Sequence, residues 1–362
     1  MKAVKSAVIS AKEQLEIRSF PLPGLGRGEM LIKVEMCGIC GSDLHIFRGD
    51  WGEPYPLIPG HEFIGRVAQM GEGAAERHQV RIGDRVAVEM ILPCWECEYC
   101  KAGRYNLCLQ DRSEGRQYGC NISMTRAPSL YGGWSEYLFV PPNAIVHRIP
   151  EHVPLRRAVL VEPLAVAVRA VHLTPPRLGD CVAVIGAGPI GLLTAVAAKA
   201  AGAGCVILVG TREERLALGK ELAADFAVDF RQENAREKVR AYSGGRGADI
   251  VFETAGTVSG QIDSLHYART AGVVNYVGLT GNKTVPIHTD AEMTFKEVKL
   301  QTSFLSAGAY QAAIRIISGG RYPIEKLITH EFSLDQAYRG LQCAANRDEK
   351  AIKVILVPDL SE

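Results

Sequence analysis

Residues 181–203 read CVAVIGAGPIGLLTAVAAKAAGA. This stretch constrains the fold more than any other. A short apolar run of strand length is followed by Gly186, Gly188 and Gly191 in G-x-G-x-x-G spacing, then by an Ala/Leu-rich run of helix length. Between a strand and a helix that spacing has a mechanical meaning. Gly186 permits the tight turn, Gly188 lets backbone approach a pyrophosphate, and Gly191 lets helix pack on strand. Pro189 and Ile190 complete the loop and are assigned with the glycines to nucleotide contact. The phosphates would sit on the helix N-terminus, where free N–H groups and the helix dipole favour anions. The competing reading is a structural glycine turn in an α/β domain.

The surroundings repeat the pattern. CVILVG is a further strand run, and REERLALGKELA a further helix. ADIVFETAG and GVVNYVGL, the latter containing Gly278, repeat the strand signal. Strands alternating with helix-length segments predict a parallel sheet with crossover helices. Up to about residue 155 the rhythm differs. MLIKVEMCGIC and DRVAVEM are strand-like, and clusters such as PLPGLGRG and PYPLIPG punctuate them. After about residue 295 the chain is mixed and ends in the strand-like AIKVILVP. With 362 residues, two domains are expected.

A net charge of +1 offers no electrostatic footprint for nucleic acid or an anionic membrane. The apolar run from Val182 is short for a bilayer and carries three glycines and a proline. The N-terminus MKAVKSAVIS lacks the apolar core of a signal peptide. These features, with ten cysteines, predict a protein of the reducing cytoplasm.

The cysteines are clustered. CWECEYCKAGRYNLC supplies Cys94, Cys97, Cys100 and Cys108 within fifteen residues. Four thiolates at such spacing suit a closed, structural zinc site. An iron–sulfur cluster also takes four cysteines, but beside a hydride-cofactor loop zinc is the expected metal. CGICGSDLH and PGHEFIG bring Cys40, Ser42, His45, His61 and Glu62 into the β-rich part, and LVEPLAV adds Glu162 on an apolar helical stretch. Cysteine, histidine and glutamate are zinc ligands. An acid in an apolar stretch calls for a partner or a metal. From spacing alone, Glu162 in a buried ion pair and His61 as a satisfied core histidine remain open. Cys120, Cys181, Cys205 and Cys343 read as ordinary thiols.

Together GICGSDLH, PGHEFIG, GDRVAVE, the four-cysteine loop, EPLAVAV and GAGPIGLL resemble the zinc-dependent medium-chain alcohol dehydrogenases, in the sorbitol/polyol and threonine dehydrogenase branch. The resemblance implies a GroES-like catalytic domain from both chain ends, 1–155 and 296–362, around a Rossmann domain at 156–295. It implies that Cys40, His61 and Glu162 hold a catalytic zinc, with Glu62 exchanging at the metal. Ser42 and His45 would relay a proton, and the four clustered cysteines would hold a second, structural zinc. The chemistry is consistent: zinc polarises a substrate oxygen, hydride passes to nicotinamide, and an imidazole can carry the proton near neutrality. The implied reaction is oxidation of a secondary alcohol (a polyol, sugar, cyclitol or amino alcohol) to a ketone, by a homodimer or homotetramer. Two departures stand out. Arg169 occupies a position where the branch usually has histidine, and the segment between Cys108 and Gly132, with Arg112, Arg116 and Arg126, is longer than usual. That segment is either a solvated loop or a border of the substrate pocket.

Cofactor choice turns on LVGTREERL. The Rossmann pattern places an acid about twenty residues beyond the glycines to hold the ribose 2′-hydroxyl. Here Gly210, Thr211 and Arg212 stand there, with Arg215 one helical turn on. Loss of the acid removes a charge that would repel a 2′-phosphate, and arginines are bidentate phosphate donors. NADP is therefore expected in preference to NAD. A zinc-stabilised non-enzymatic binding protein and a reductase lacking catalytic zinc are the alternatives.

Overall fold

The computed structural model describes residues 3–360, apart from the side chain of Arg112. The chain forms two compact units, one of residues 1–162 and 327–362, the other of residues 163–326.

The first unit is β-rich. Strands β1 (Ala3–Ala11) and β2 (Gln14–Pro21) form an antiparallel hairpin. Strands β3 (Met30–Ile39), β4 (Glu62–Met70), β5 (Arg85–Val88), β6 (Tyr137–Val140) and β7 (Val146–Arg148) build an antiparallel sheet. Its core includes Met30, Ile32, Val34, Phe63, Val86, Tyr118 and Trp134.

The second unit holds six parallel strands: β8 (Cys181–Ile185), β9 (Cys205–Gly210), β10 (Phe226–Asp229), β11 (Ala248–Glu253), β12 (Ala268–Tyr276) and β13 (Lys299–Thr302). Their spatial order is β10-β9-β8-β11-β12-β13. This is the doubly wound arrangement, with its switch point between β8 and β11. Strands β14 (Ile328–Ser333) and β15 (Lys353–Val357) then return to the first sheet, where β15 pairs with β3 and β14 lies parallel to β15 at the edge.

The divisions fall later than residues 155 and 295. The helix Val161–Leu173 contains the first, with Glu162 as the last residue before it. β13 extends the six-stranded sheet from beyond residue 295, so the return begins only at Leu327. Among the described residues no helix is long and apolar enough to cross a membrane.

Candidate functional site

β3 delivers the chain to Cys40, which N-caps the helix Gly41–Phe47. Asp43, buried in the first turn, accepts the Cys40 backbone N–H through Oδ2 at 2.8 Å. Its Oδ1 lies 3.7 Å from His61 Nδ1, so one buried carboxylate braces two candidate ligands. His61 and Glu62 sit at the start of β4. The chain enters there through Gly60 at φ 90°, with Trp134 against its α-carbon, so a side chain at residue 60 is excluded both by conformation and by space.

One donor atom each from Cys40, His61 and Glu62 lies within 4.8 Å of the others. Thiol, imidazole and carboxylate are the donors of an open zinc site. Glu62, expected to exchange at the metal, is in this trio, and Glu162, expected as the third ligand, is not among its three donors. Glu162 is nevertheless buried, and burial pushes its carboxyl up to about 7, with Glu62 and Asp43 adding to the rise against His61 and Lys353. Burial likewise raises Asp43.

Lys353 completes the site and carries no motif in the sequence. Its ammonium is buried, pairs with Glu62 Oε2, and donates to Ile39 O at 3.1 Å. Burial opposes its charge, but Glu62, Cys40 and Glu162 hold its pKa above the usual lysine value. Three buried carboxylates thus share one buried lysine. Charge buried in this way is costly unless paired or bound to metal. The thiol, imidazole and carboxylate of Cys40, His61 and Glu62 are donors that fit zinc.

Ser42 Oγ lies 3.5 Å from His61 Nε2. His45, one turn along the same helix, is half-exposed; its Nδ1 is 2.9 Å from Asp50 Oδ2 and its ring stacks on Trp51. Cys120, read from sequence as an ordinary thiol, is 3.5 Å from His61 Nδ1. It belongs to the long segment after Cys108, which is no solvated loop. Tyr118, Ile122 and Leu130 are buried there, and Tyr118 donates to Phe139 O at 2.9 Å. Arg116 bonds Gln110 and Glu114 within the segment, while Arg126 lies over the Tyr131 ring at 5.4 Å. The side chain of Arg112 falls outside the described residues. Arg169 donates to Ala307 O at 3.0 Å, a tie within the second unit.

Cys94, Cys97, Cys100 and Cys108 also place their sulfurs within 4.8 Å of one another. The N–H groups of Glu96 and Cys97 point at Cys94 Sγ, at 3.4 and 3.3 Å. Those of Leu109 and Cys100 lower the Cys97 thiol pKa. Backbone donors favour thiolate, the form that binds metal. Tyr105, between the third and fourth cysteines, donates to buried Glu89 at 2.9 Å, and Glu89 also meets His147 at 2.8 Å.

In the second unit Gly188 N-caps the helix Pro189–Ala200, with Pro189 in its first turn. Gly186 takes φ 103°, and its N–H donates to Val209 O at 2.9 Å. Thr254 Oγ1, at the end of β11, donates to Ile185 O at 2.7 Å. Gly191 lies so close to Gly186 O that a β-carbon would overlap it. Gly210 ends β9, and a β-carbon there would meet Ala187 Cβ at 2.8 Å. Thr211 follows it, and Arg212 N-caps the helix Glu213–Leu222. Arg215 is half-buried; burial first, then the charge of Arg212, pushes its guanidinium down to about 10. The charge of Arg212 therefore acts on the Arg215 guanidinium. Gly278 packs on Gly256.

Residues 26–151 match the alcohol dehydrogenase GroES-like domain family, and residues 189–319 the zinc-binding dehydrogenase family. The chain is 31% identical to sorbitol dehydrogenase of Bacillus subtilis (strain 168) over 360 residues, covering 98% of each chain. A protein assigned as a zinc-binding dehydrogenase from Sinorhizobium meliloti 1021, bound to NADP, superposes with a TM-score of 0.88 at 29% identity, over 99% of this chain and all of that one. An alcohol dehydrogenase from Escherichia coli CFT073 complexed with NADH gives 0.87 at 31%, with the same coverage. The chain belongs to the zinc-type alcohol dehydrogenase family, the medium-chain NAD(P)-dependent oxidoreductases built from a GroES-like and a Rossmann domain.

Proposed function

We propose that this protein oxidises a secondary alcohol of the polyol class to a ketone with NADP, holding one zinc at Cys40, His61 and Glu62 and a second at Cys94, Cys97, Cys100 and Cys108. The observation that carries this reading is the trio of unlike donors beside Ser42, set among buried carboxylates that outnumber the buried lysine. Zinc, when bound, polarises the substrate hydroxyl. Ser42 receives the hydroxyl proton. His45 lies three residues on, on the same helix face, and holds the outward end of the route. Asp50 on Nδ1 leaves Nε2 as the exchanging atom. Lys353 pairs with Glu62 and holds its carboxylate in place. Glu162 is a reserve carboxylate beside the trio rather than a member of it. Gly186, Gly188, Pro189, Ile190, Gly191 and Gly278 would hold the cofactor, whose nicotinamide would supply the hydride acceptor.

The related structures hold NADP in one case and NADH in the other, so the preference rests on this chain. Gly210 offers no acid, and Arg212 and Arg215 are the cations set for a 2′-phosphate. The polyol class is supported by the likeness to sorbitol dehydrogenase. A homodimer or homotetramer is supported by β13, an edge strand flanked by exposed Phe295, Leu300 and Phe304; light scattering checks it. The deciding experiment screens polyols, sugars, cyclitols and amino alcohols with both cofactors by nicotinamide absorbance, alongside metal analysis. Ketone formation with NADP, lost on chelation, is expected. Greater efficiency with NAD overturns the cofactor assignment. Activity that survives complete removal of metal overturns the zinc assignment.

A further inference from the structure

Strand β14 is the edge of the first sheet, and it carries a group of metal-type donors that the reaction does not use. His330 lies on β14, Cys343 on the helix Ala337–Ala345, and Glu349 in the turn before β15. One donor atom from each lies within 4.8 Å of the other two. Imidazole, thiol and carboxylate from three successive pieces of chain converge on one point.

The hydrogen bonds around His330 prepare it as a ligand. Thr329 Oγ1 donates to Lys353 O at 3.3 Å and accepts the Ile352 N–H at 3.1 Å. Its single proton is thereby spent. His330 Nδ1, 3.0 Å from the same oxygen, is then the donor of that contact. In that tautomer Nε2 is the nitrogen whose lone pair a metal would take. An outer hydrogen bond that fixes the tautomer is the usual companion of a metal-bound histidine.

We propose that His330, Cys343 and Glu349 form a third metal site of the chain, one for zinc, with water in the fourth position. The donors select the metal: sulfur with imidazole favours zinc over the oxygen-seeking magnesium and calcium. Donors around tetrahedral zinc stand roughly 3.4–3.6 Å apart, from bond lengths of about 2.0–2.3 Å. The three donors, within 4.8 Å of one another, are gathered to about that scale. Glu349 is exposed on a turn and is free to adjust, whereas Cys343 is buried and fixed. The ion would tie edge strand, helix and turn together. This site does not depend on the substrate, the cofactor or the two zincs assigned above.

The test uses the full chain. Wild type, His330→Ala and Glu349→Gln are equilibrated with micromolar free zinc, desalted and analysed for metal. Wild type is expected to hold one zinc per chain more than either variant, with alcohol oxidation unchanged in all three. In cobalt-loaded protein, Cys343→Ser is expected to lose part of the near-ultraviolet sulfur-to-cobalt absorption. Equal zinc in wild type and Glu349→Gln, whose exposed side chain leaves folding intact, together with equal zinc in His330→Ala, overturns the proposal. So does a cobalt spectrum indifferent to Cys343→Ser.

Discussion

Lys353→Met removes the one buried ammonium of the candidate metal site and leaves the volume nearly filled. The wild-type ammonium meets Glu62, with both side chains at 3% exposure or less, and also serves Ile39 O. Asp43 and Glu162 are buried close by. Without metal, the variant is left with a buried carboxylate lacking its partner. Breaking a buried pair in this way costs about 3–5 kcal/mol. For a unit of this size each kcal/mol moves the midpoint by roughly 2–4 °C, so calorimetry of chelated protein at pH 8 is expected to show a drop of roughly 6–20 °C. Zinc at the trio restores positive charge beside Glu62. In zinc-loaded protein the drop is therefore expected to shrink. The coupling is reciprocal, so Lys353→Met should bind zinc at that site more tightly than wild type. Equal drops with and without zinc would refute the reasoning, because Lys353 would then act through packing and not through charge.

On the proposed reading, Arg212→Ala and Arg215→Ala would each remove a charge-assisted contact of about 1.5–3 kcal/mol to a 2′-phosphate. Efficiency with NADP is expected to fall roughly 10- to 150-fold with NAD little changed; parallel losses with both cofactors would remove these residues from phosphate binding. Cys97→Ser should cost one zinc per chain and lower thermal stability, as read by metal analysis and calorimetry. Arg126→Ala should raise the Michaelis constant without lowering the melting temperature, and an unchanged constant would make the Tyr131 contact its whole role. Glu162 is raised from 4.5 to about 7 in the metal-free state, so the folded protein holds a proton that the unfolded chain has released. Its contribution is present below pH 4.5 and is lost as pH rises through about 7, an effect of about 3 kcal/mol. Chelated wild type should therefore lose stability between about pH 4.5 and 7, and Glu162→Gln should lack that slope.

The glycine loop and the four-cysteine lobe were legible because their chemistry is local: spacing along the chain is spacing in space. Strands β8 and β9 were legible from unbroken apolar runs, and β11 and β15 from apolar stretches with a charged residue at their ends. β10 and β13 were not, since FAVD and KLQT are short and half polar, and only pairing with a finished sheet defines them. The candidate metal site was half legible. Cys40, His61 and Glu62 stood in recognisable stretches, but how near Glu162 comes to them depends on where a helix sets its first turn. Asp43, Cys120 and Lys353 gave no signal. Lys353 in particular sits in a strand-like run where a lysine reads as a solvated side chain, and it is buried only because β15 pairs with β3, over three hundred residues earlier.

Gly210 shows how one residue can satisfy two demands that the sequence cannot separate. Its lack of an acid is compatible with a 2′-phosphate, yet the 2.8 Å approach of Ala187 to a β-carbon there is a sufficient reason for glycine by itself. Ala187 lies between the first two glycines of the nucleotide loop, so the end of β9 packs on the loop that receives the pyrophosphate. An aspartate introduced at this position would displace that loop as well as add a charge. Loss of NADP use in Gly210→Asp would then follow from either cause and discriminate nothing. Arg212 and Arg215 are the informative positions. The glycine contact with Ala187 does not involve their side chains, so their substitution leaves that packing in place. Cofactor choice in this chain is thus an argument about a pair of cations, and only secondarily about a missing acid.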